Sequence, residues 1–142
     1  MLVDLTQKKS ATPQTLYRIP SHTKLFTATV IMKLYSQGKL STDNKVNAYL
    51  PWFKSNTNKT LDDIRIRHLL SHTSGISRDG NFGHWSTDEF PTNEQIQSML
   101  DQDFSIFQPS ERLKYSNIAY ALLRTIIRRS AAIIMKPKFK NY

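Results

Sequence analysis

At 142 residues the chain fits a single domain and is long enough to bury one core. Hydrophobic residues at 39% and charged residues at 22% match ordinary globular usage, and 4 Gly with 6 Pro exclude a low-complexity chain. There are no cysteines, which excludes disulfides, thiolate catalysis and Cys-based zinc sites together. The net charge of +9 is uneven: residues 128–142 hold Arg128, Arg129, Lys136, Lys138 and Lys140 with no acid, and taking these five away leaves +4.

Residues 1–10 have no continuous apolar run and do not read as a signal peptide, so the chain is expected to be cytoplasmic if Met1 is the true start. Polar residues from 4 onward, with Pro13, predict a turn that feeds a short strand over residues 16–19, which alternate and end at Pro20. Ser21 is placed to cap a helix over residues 23–37. Leu25, Phe26, Ala28, Val30, Ile31, Met32, Leu34 and Tyr35 cover more than one face of it, which predicts burial on most sides; Gly38 stops it. Lys33 and Lys39 interrupt this most apolar region, so no transmembrane span is expected.

A short second helix is predicted from Ser41-Thr42-Asp43-Asn44 to Tyr49, then a polar loop over residues 55–60. Ile64-Arg65-Ile66 alternates briefly, His68-Leu69-Leu70 makes a helical turn, and Thr73-Ser74-Gly75 breaks it. Residues 77–91 read as an irregular loop with Gly80, Gly83 and Pro91. Thr92 and Gln95 form a capping box for a helix through Leu100. Pro109 and Ser110 mark a turn, and a last helix starts near Ser116 with Ile118, Ala119, Ala121, Leu122, Leu123, Ile126 and Ile127, again apolar around most of its circumference. Two such helices need other elements to cover them.

Ser21-His22-Thr23-Lys24 is an S-x-x-K, whose spacing puts Ser21 and Lys24 on one helix face. A serine hydroxyl attacks well only when a base takes its proton, and a lysine does so only as the neutral amine that apolar surroundings favour. The pattern also occurs at Ser36 and Lys39, so alone it does not separate a catalytic pair from a cap and a surface lysine. Tyr115-Ser116-Asn117 offers a second pair: a tyrosinate to act as base and an amide to hold a substrate, or else a buried tyrosine and a helix cap. Among His22, His68, His72 and His84 no pair makes a zincin motif, because Leu69 and Ser71 stand where Glu is required between His68 and His72. His68 and His72 stand four apart, a spacing that leaves a metal pair open, although His72 reads better as a brace for the Thr73-Ser74-Gly75 turn. No metal and no cofactor are expected. Nor is a nucleic-acid partner, since Lys136, Lys138, Phe139 and Lys140 give only a thin basic and aromatic cluster.

The setting of these pairs carries more than the pairs do. Tyr17-Arg18-Ile19-Pro20-Ser21-His22-Thr23-Lys24-Leu25-Phe26-Thr27-Ala28 resembles the active-site segment of the β-lactamase-related serine hydrolases. That family groups class C β-lactamases with D-alanyl-D-alanine carboxypeptidases, D-aminopeptidases and some esterases. Gly38-Lys39-Leu40-Ser41 and Tyr49-Leu50-Pro51 resemble its next segment, and residues 66–75, Ile-Arg-His-Leu-Leu-Ser-His-Thr-Ser-Gly, its most recognisable block. Pro109-Ser110-Glu111, Tyr115-Ser116-Asn117 and Tyr120-Ala121-Leu122-Leu123 resemble its tyrosine motif and following helix. The resemblance implies acylation of Ser21, activation by Lys24, proton relay by Tyr115 and substrate contact by Asn117, with His72 to Gly75 structural and near the site. It implies a small-molecule or peptide substrate: a β-lactam, a D-amino-acid peptide or an ester.

It also implies an α/β fold of the β-lactamase and transpeptidase type, present only in part, mostly as its helical portion with the central antiparallel sheet incomplete. Residues 1–127 are assigned to the N-terminal half of that domain and residues 128–142 to a basic tail without family resemblance. Two departures stand out. Ser110 occupies a position where the family usually has Gly. The family's third motif, Lys-Thr-Gly or His-x-Gly, occurs nowhere in the chain, which ends 27 residues past Tyr115. Without that strand's oxyanion donor, little or no hydrolysis is expected of the isolated chain.

Overall fold

A computed structural model describes residues 2–4, 6–17, 19–81, 91–102, 104–105 and 107–135. His84, Gly83 and the tail residues Lys136, Lys138, Phe139 and Lys140, all singled out in the sequence, lie outside these, as does Arg18. The only sheet among the described residues is a small antiparallel hairpin of β1 (Leu2–Asp4) and β2 (Lys9–Ser10), with Leu2 opposite Ser10 and Asp4 opposite Lys9. The strand predicted over residues 16–19 is not formed in the described part. Leu16, Tyr17 and Ile19 are exposed coil, and among the described residues no neighbouring segment pairs with them as a strand requires.

Pro20–His22 is a single 3-10 turn that leads into α1 (Thr23–Ser36). Pro20 suits the start of such a turn because it has no N–H to leave unpaired. Ser21 is not the cap that the sequence suggested. His22 takes the cap position without a side-chain cap bond, which leaves the Ser21 hydroxyl for a partner elsewhere. Gly38, at φ +66, ends the helix as predicted, and its N–H bonds the Tyr35 carbonyl at 2.9 Å.

α1 is not buried on most sides. Ile31 alone is fully buried, with Lys24, Thr27, Ala28 and Leu34 half-buried at i, i+3 and i+4 spacing around it. Leu25 and Phe26 are each 67% exposed, and Val30, Met32 and Tyr35 also face outward. An all-round apolar helix can be covered only by as many elements as pack on it, and among the described residues α1 packs chiefly on the last helix.

The core lies on the other side of that helix. α2 (Val46–Tyr49) and α3 (Ile66–Leu70) are tied by a bridge between Lys45 and Arg65 and by the Val46 N–H to Ile64 carbonyl bond at 2.9 Å. α4 (Asn93–Ser98) begins with the predicted capping box: Thr92 N–H donates to Gln95 Oε1 at 2.8 Å and Gln95 N–H to Thr92 Oγ1 at 3.2 Å. α5 (Asn117–Met135) is amphipathic rather than apolar all round. It buries Ile118, Ala119, Leu122, Leu123 and Ile126 and turns Arg124, Arg128 and Arg129 outward. The boundary placed between residues 127 and 128 falls inside this helix, whose Ser130 is buried. Phe53 and Phe104 meet edge to face at 6.3 Å at the centre of the core, with Leu50, Leu61, Ile64, Ile66, Leu69 and Ile76 around them.

The turn after α3 brings two distant stretches of backbone together. His72 has φ +59, and Gly75 has φ +76 where a Cβ would collide with the Phe107 carbonyl. That close approach lets Ile76 bridge Ser105 and lets Ser77 N–H reach the Phe104 carbonyl at 2.9 Å. No helix among the described residues is long and apolar enough to cross a membrane.

Candidate active site

Three pieces of chain converge at one end of α5: the Pro20–His22 turn with the start of α1, the loop over residues 72–80, and residues 114–117. The Ser21 Oγ and Tyr115 Oη lie 2.8 Å apart, a hydrogen bond in which either oxygen is able to donate. Lys24, one helical step on, donates through Nζ to Asn117 Oδ1 at 2.7 Å. The same ammonium stands 4.9 Å from the Tyr115 ring centre and 5.6 Å from that of Tyr120. All four residues singled out in the sequence, Ser21, Lys24, Tyr115 and Asn117, are therefore brought together.

Tyr115 is set by the backbone around His72. The His72 carbonyl accepts the Lys114 N–H at 2.7 Å, and its Nδ1 accepts the Ser116 N–H at 3.2 Å. The His72 ring lies between Tyr115 and Tyr120, with centres 4.5 and 5.0 Å away, each tilted by 34°. Tyr120 is anchored in turn by its hydroxyl to the Leu70 carbonyl at 3.0 Å. The helix cap is Ser116, not Asn117: its Oγ accepts the Ala119 N–H at 3.0 Å and donates to the Ser77 carbonyl at 2.8 Å. The Asn117 side chain is thus free for the site, where its Nδ2 donates to Asp79 Oδ1 at 2.6 Å.

The electrostatics reflect this packing. Burial pushes the Tyr115 hydroxyl up, but the nearby Lys24 ammonium, the hydrogen bond with Ser21 and the positive charge of Arg78 outweigh it, holding the group below its ordinary value of 10.0. Burial and the Lys24 charge hold His72 below its ordinary 6.5, which favours the neutral ring that accepts from Ser116. Tyr120 moves the other way, raised by burial and by Tyr115. Two neighbouring tyrosines are thereby separated in acidity, and the more acidic one touches the serine.

The His68 and His72 spacing does not make a pair. His68 Nδ1 accepts the Arg65 N–H at 3.2 Å at the start of α3, while His72 Nδ1 is taken by Ser116. The described residues contain no cluster of three or more His, Cys, Asp or Glu able to hold a metal. Arg78, Asp79 and Tyr120 escaped the sequence reading as site residues. Arg78 lies 5.6 Å from the Tyr115 ring centre, and its Nε is 3.3 Å from Asp79 Oδ2. The only signal for these two was a charged pair shortly after a Ser-Gly turn, which carries no function by itself.

This architecture is the helical portion of a β-lactamase and transpeptidase-like fold, with little sheet among the described residues. The family model described as Beta-lactamase matches residues 2–135, and the chain belongs to that family. It is 35% identical over 139 residues to Protein flp of Staphylococcus aureus (strain N315), a match that spans 98% of this chain and 27% of that protein. It is 32% identical over 134 residues to Penicillin-binding protein 4* of Bacillus subtilis (strain 168), spanning 92% of this chain and 28% of that protein. The chain thus spans little more than a quarter of the length of these relatives. Among solved structures, EstCE1, a hydrolase with promiscuous acyltransferase activity, superposes with a TM-score of 0.73 at 27% identity, over 92% of this chain and 37% of the other. The D-amino acid amidase from Ochrobactrum anthropi SV3 superposes with a TM-score of 0.75 at 25% identity, over 92% and 35%.

Proposed function

We propose that Ser21 is an acyl-accepting nucleophile, with Tyr115 taking its proton and Lys24 holding Tyr115 in its more acidic state. The observation that carries this reading is the 2.8 Å bond between Ser21 and Tyr115, with the Lys24 ammonium 4.9 Å from the centre of that tyrosine ring. Attack of Oγ on a carbonyl forms the acyl-serine ester while the serine proton passes to the Tyr115 oxygen. Tyr115 then returns a proton to the leaving amine or alkoxide. Asn117, beside Lys24, would contact the substrate amide. The substrate class is a β-lactam, a D-amino-acid peptide or an ester, in keeping with relatives named as a penicillin-binding protein and a D-amino acid amidase.

Among the described residues the Ser21 side of the site is open to solvent, which admits water as the acceptor of the acyl group. A second reading, a non-catalytic member of the family, is favoured by one observation: Ser21 and the neighbouring apolar Leu25 and Phe26 are exposed among the described residues. Incubation with a fluorescent penicillin or a chromogenic ester, followed by mass spectrometry, separates the two. Labelling of Ser21 that disappears in Ser21→Ala supports acyl transfer. Absence of any adduct supports the non-catalytic reading.

A further inference from the structure

Asn117 sits between a cation and an anion. Its Oδ1 accepts from Lys24 Nζ at 2.7 Å, and its Nδ2 donates to Asp79 Oδ1 at 2.6 Å. An asparagine amide is nearly symmetric in shape, so which end faces Lys24 is decided by its partners. A carboxylate only accepts, so Asp79 can bond only the NH2 end of Asn117. That turns the carbonyl end toward Lys24, which only donates. Asp79 is itself fixed: its side chain is 20% exposed, its other oxygen lies 3.3 Å from Arg78 Nε, and the Arg78 carbonyl accepts the Asn117 N–H at 2.8 Å. The loop carrying Asp79 and the first residue of α5 therefore hold each other by backbone and side chain together.

We propose that Asp79 is a positioning residue, which sets the Asn117 amide so that its oxygen holds Lys24 against Tyr115. The proposal rests on the acyl-transfer reading for its purpose but not for its geometry. Asp79 and Lys24 share the Asn117 amide, one on each end, so Asp79 reaches the reacting groups through Asn117. With Asp79 neutral, the Asn117 NH2 loses the charged acceptor that pins it, the amide shifts from its place, and the hold of its oxygen on Lys24 against the Tyr115 ring loosens.

The sign of one measurement separates this role from the alternatives. Among the described residues the groups facing Tyr115 are Lys24 and Ser21 from the α1 side, Arg78 and His72 from the loop, and Tyr120 from α5, with Asp79 paired to Arg78. In Asp79→Asn, loss of a negative charge acting through space would make Tyr115 more acidic. Loss of Lys24 from its place makes Tyr115 less acidic, and because Lys24 is the nearer charge this is the larger effect. The experiment is a pH titration of the full chain labelled with 13Cζ-tyrosine, the Tyr115 resonance being assigned with Tyr115→Phe. In Asp79→Asn the Tyr115 midpoint is expected to rise by about one unit. In the Asn117→Ala background the same change at Asp79 is expected to add no rise, because the intermediary is gone. A fall or no change in Asp79→Asn, or an equal rise without Asn117, overturns the proposal. Should Asp79→Asn fail to fold, the Asn117 Nδ2 protons of the unaltered chain carry the test. One proton shifted downfield and protected from exchange is expected, and two that exchange like a free asparagine amide overturn it. None of these outcomes depends on turnover, so failure of Ser21 to label would defeat the acyl-transfer reading alone.

Discussion

The two long helices of the chain share the site but are anchored very differently. α5 buries Ile118, Ala119, Leu122, Leu123 and Ile126 in the core and is capped by Ser116, and the His72 loop locks the segment before it. α1 touches α5 along one narrow strip, buries Ile31 alone, and leaves Leu25 and Phe26 two-thirds exposed. Tyr115 and Asn117 belong to the first region, Ser21 and Lys24 to the second. The bonds that define the site, Ser21 to Tyr115 and Lys24 to Asn117, are also bonds across the seam between a firm support and a loosely covered helix. In the acyl-transfer reading, the placement of Ser21 and Lys24 depends on those two cross-seam bonds.

Substitutions in matched pairs sharpen this contrast. Leu122→Ala removes a fully buried side chain from α5 and is expected to cost about 2–5 kcal/mol in urea unfolding. Leu25→Ala, the same chemical change on α1, is expected to stay within about 0.5 kcal/mol. Equal costs would mean that α1 is covered in solution and would break the comparison. A middle-sized effect is expected at the turn that feeds Tyr115. Ser110 has φ +70, a conformation that costs an L side chain roughly 1–2 kcal/mol. Ser110→Gly should therefore raise stability by about 1 kcal/mol, less the added freedom of glycine in the unfolded chain. A loss of stability would show that the Ser110 side chain does more than endure its backbone.

The smallest expected effect is a pH dependence. His68 is held below its ordinary value by burial first and then by Arg67 and Arg65, and His72 by burial and Lys24. Groups whose folded value is depressed bind fewer protons folded than unfolded, so stability falls as pH drops through the unfolded value of about 6.5 and levels off below the folded ones. The thermal midpoint should decrease modestly between about pH 7.5 and 5.5, and less so in His72→Gln. A midpoint that rises on acidification would contradict the neutral, buried rings.

The sequence carried the parts of this structure that depend on short-range chemistry. The capping box of Thr92 and Gln95, the stop at Gly38 and the break at Gly75 were all readable, because each is a bond or a backbone angle settled within a few residues. Ser21, Lys24, Tyr115 and Asn117 were legible through their resemblance to a family pattern; neither pair stood out by spacing alone. The burial of α1 was misread because an apolar helix states what it needs, and the packing around it decides what it gets. The strand over residues 16–19 failed for the same reason, since alternation offers edges that a neighbour must take up. Asp79 was invisible because its bond to Asn117 exists only when the loop over residues 72–80 meets α5, across 38 residues of sequence. The Ser110 departure was visible in the sequence, and its positive φ supplies the physical reason why glycine would fit there.

The claim that a firmly held tyrosine activates a serine on a loosely held helix is tested most directly by the rate of Ser21 labelling against pH, with and without the Tyr115 hydroxyl. For the unaltered chain the account predicts a rate that climbs with pH to a midpoint below 10, following the depressed Tyr115. Tyr115→Phe, which keeps the ring on His72, is predicted to lower that rate by about a hundredfold or more and to remove the climb. Labelling of Tyr115→Phe at the same rate and with the same pH profile would contradict it.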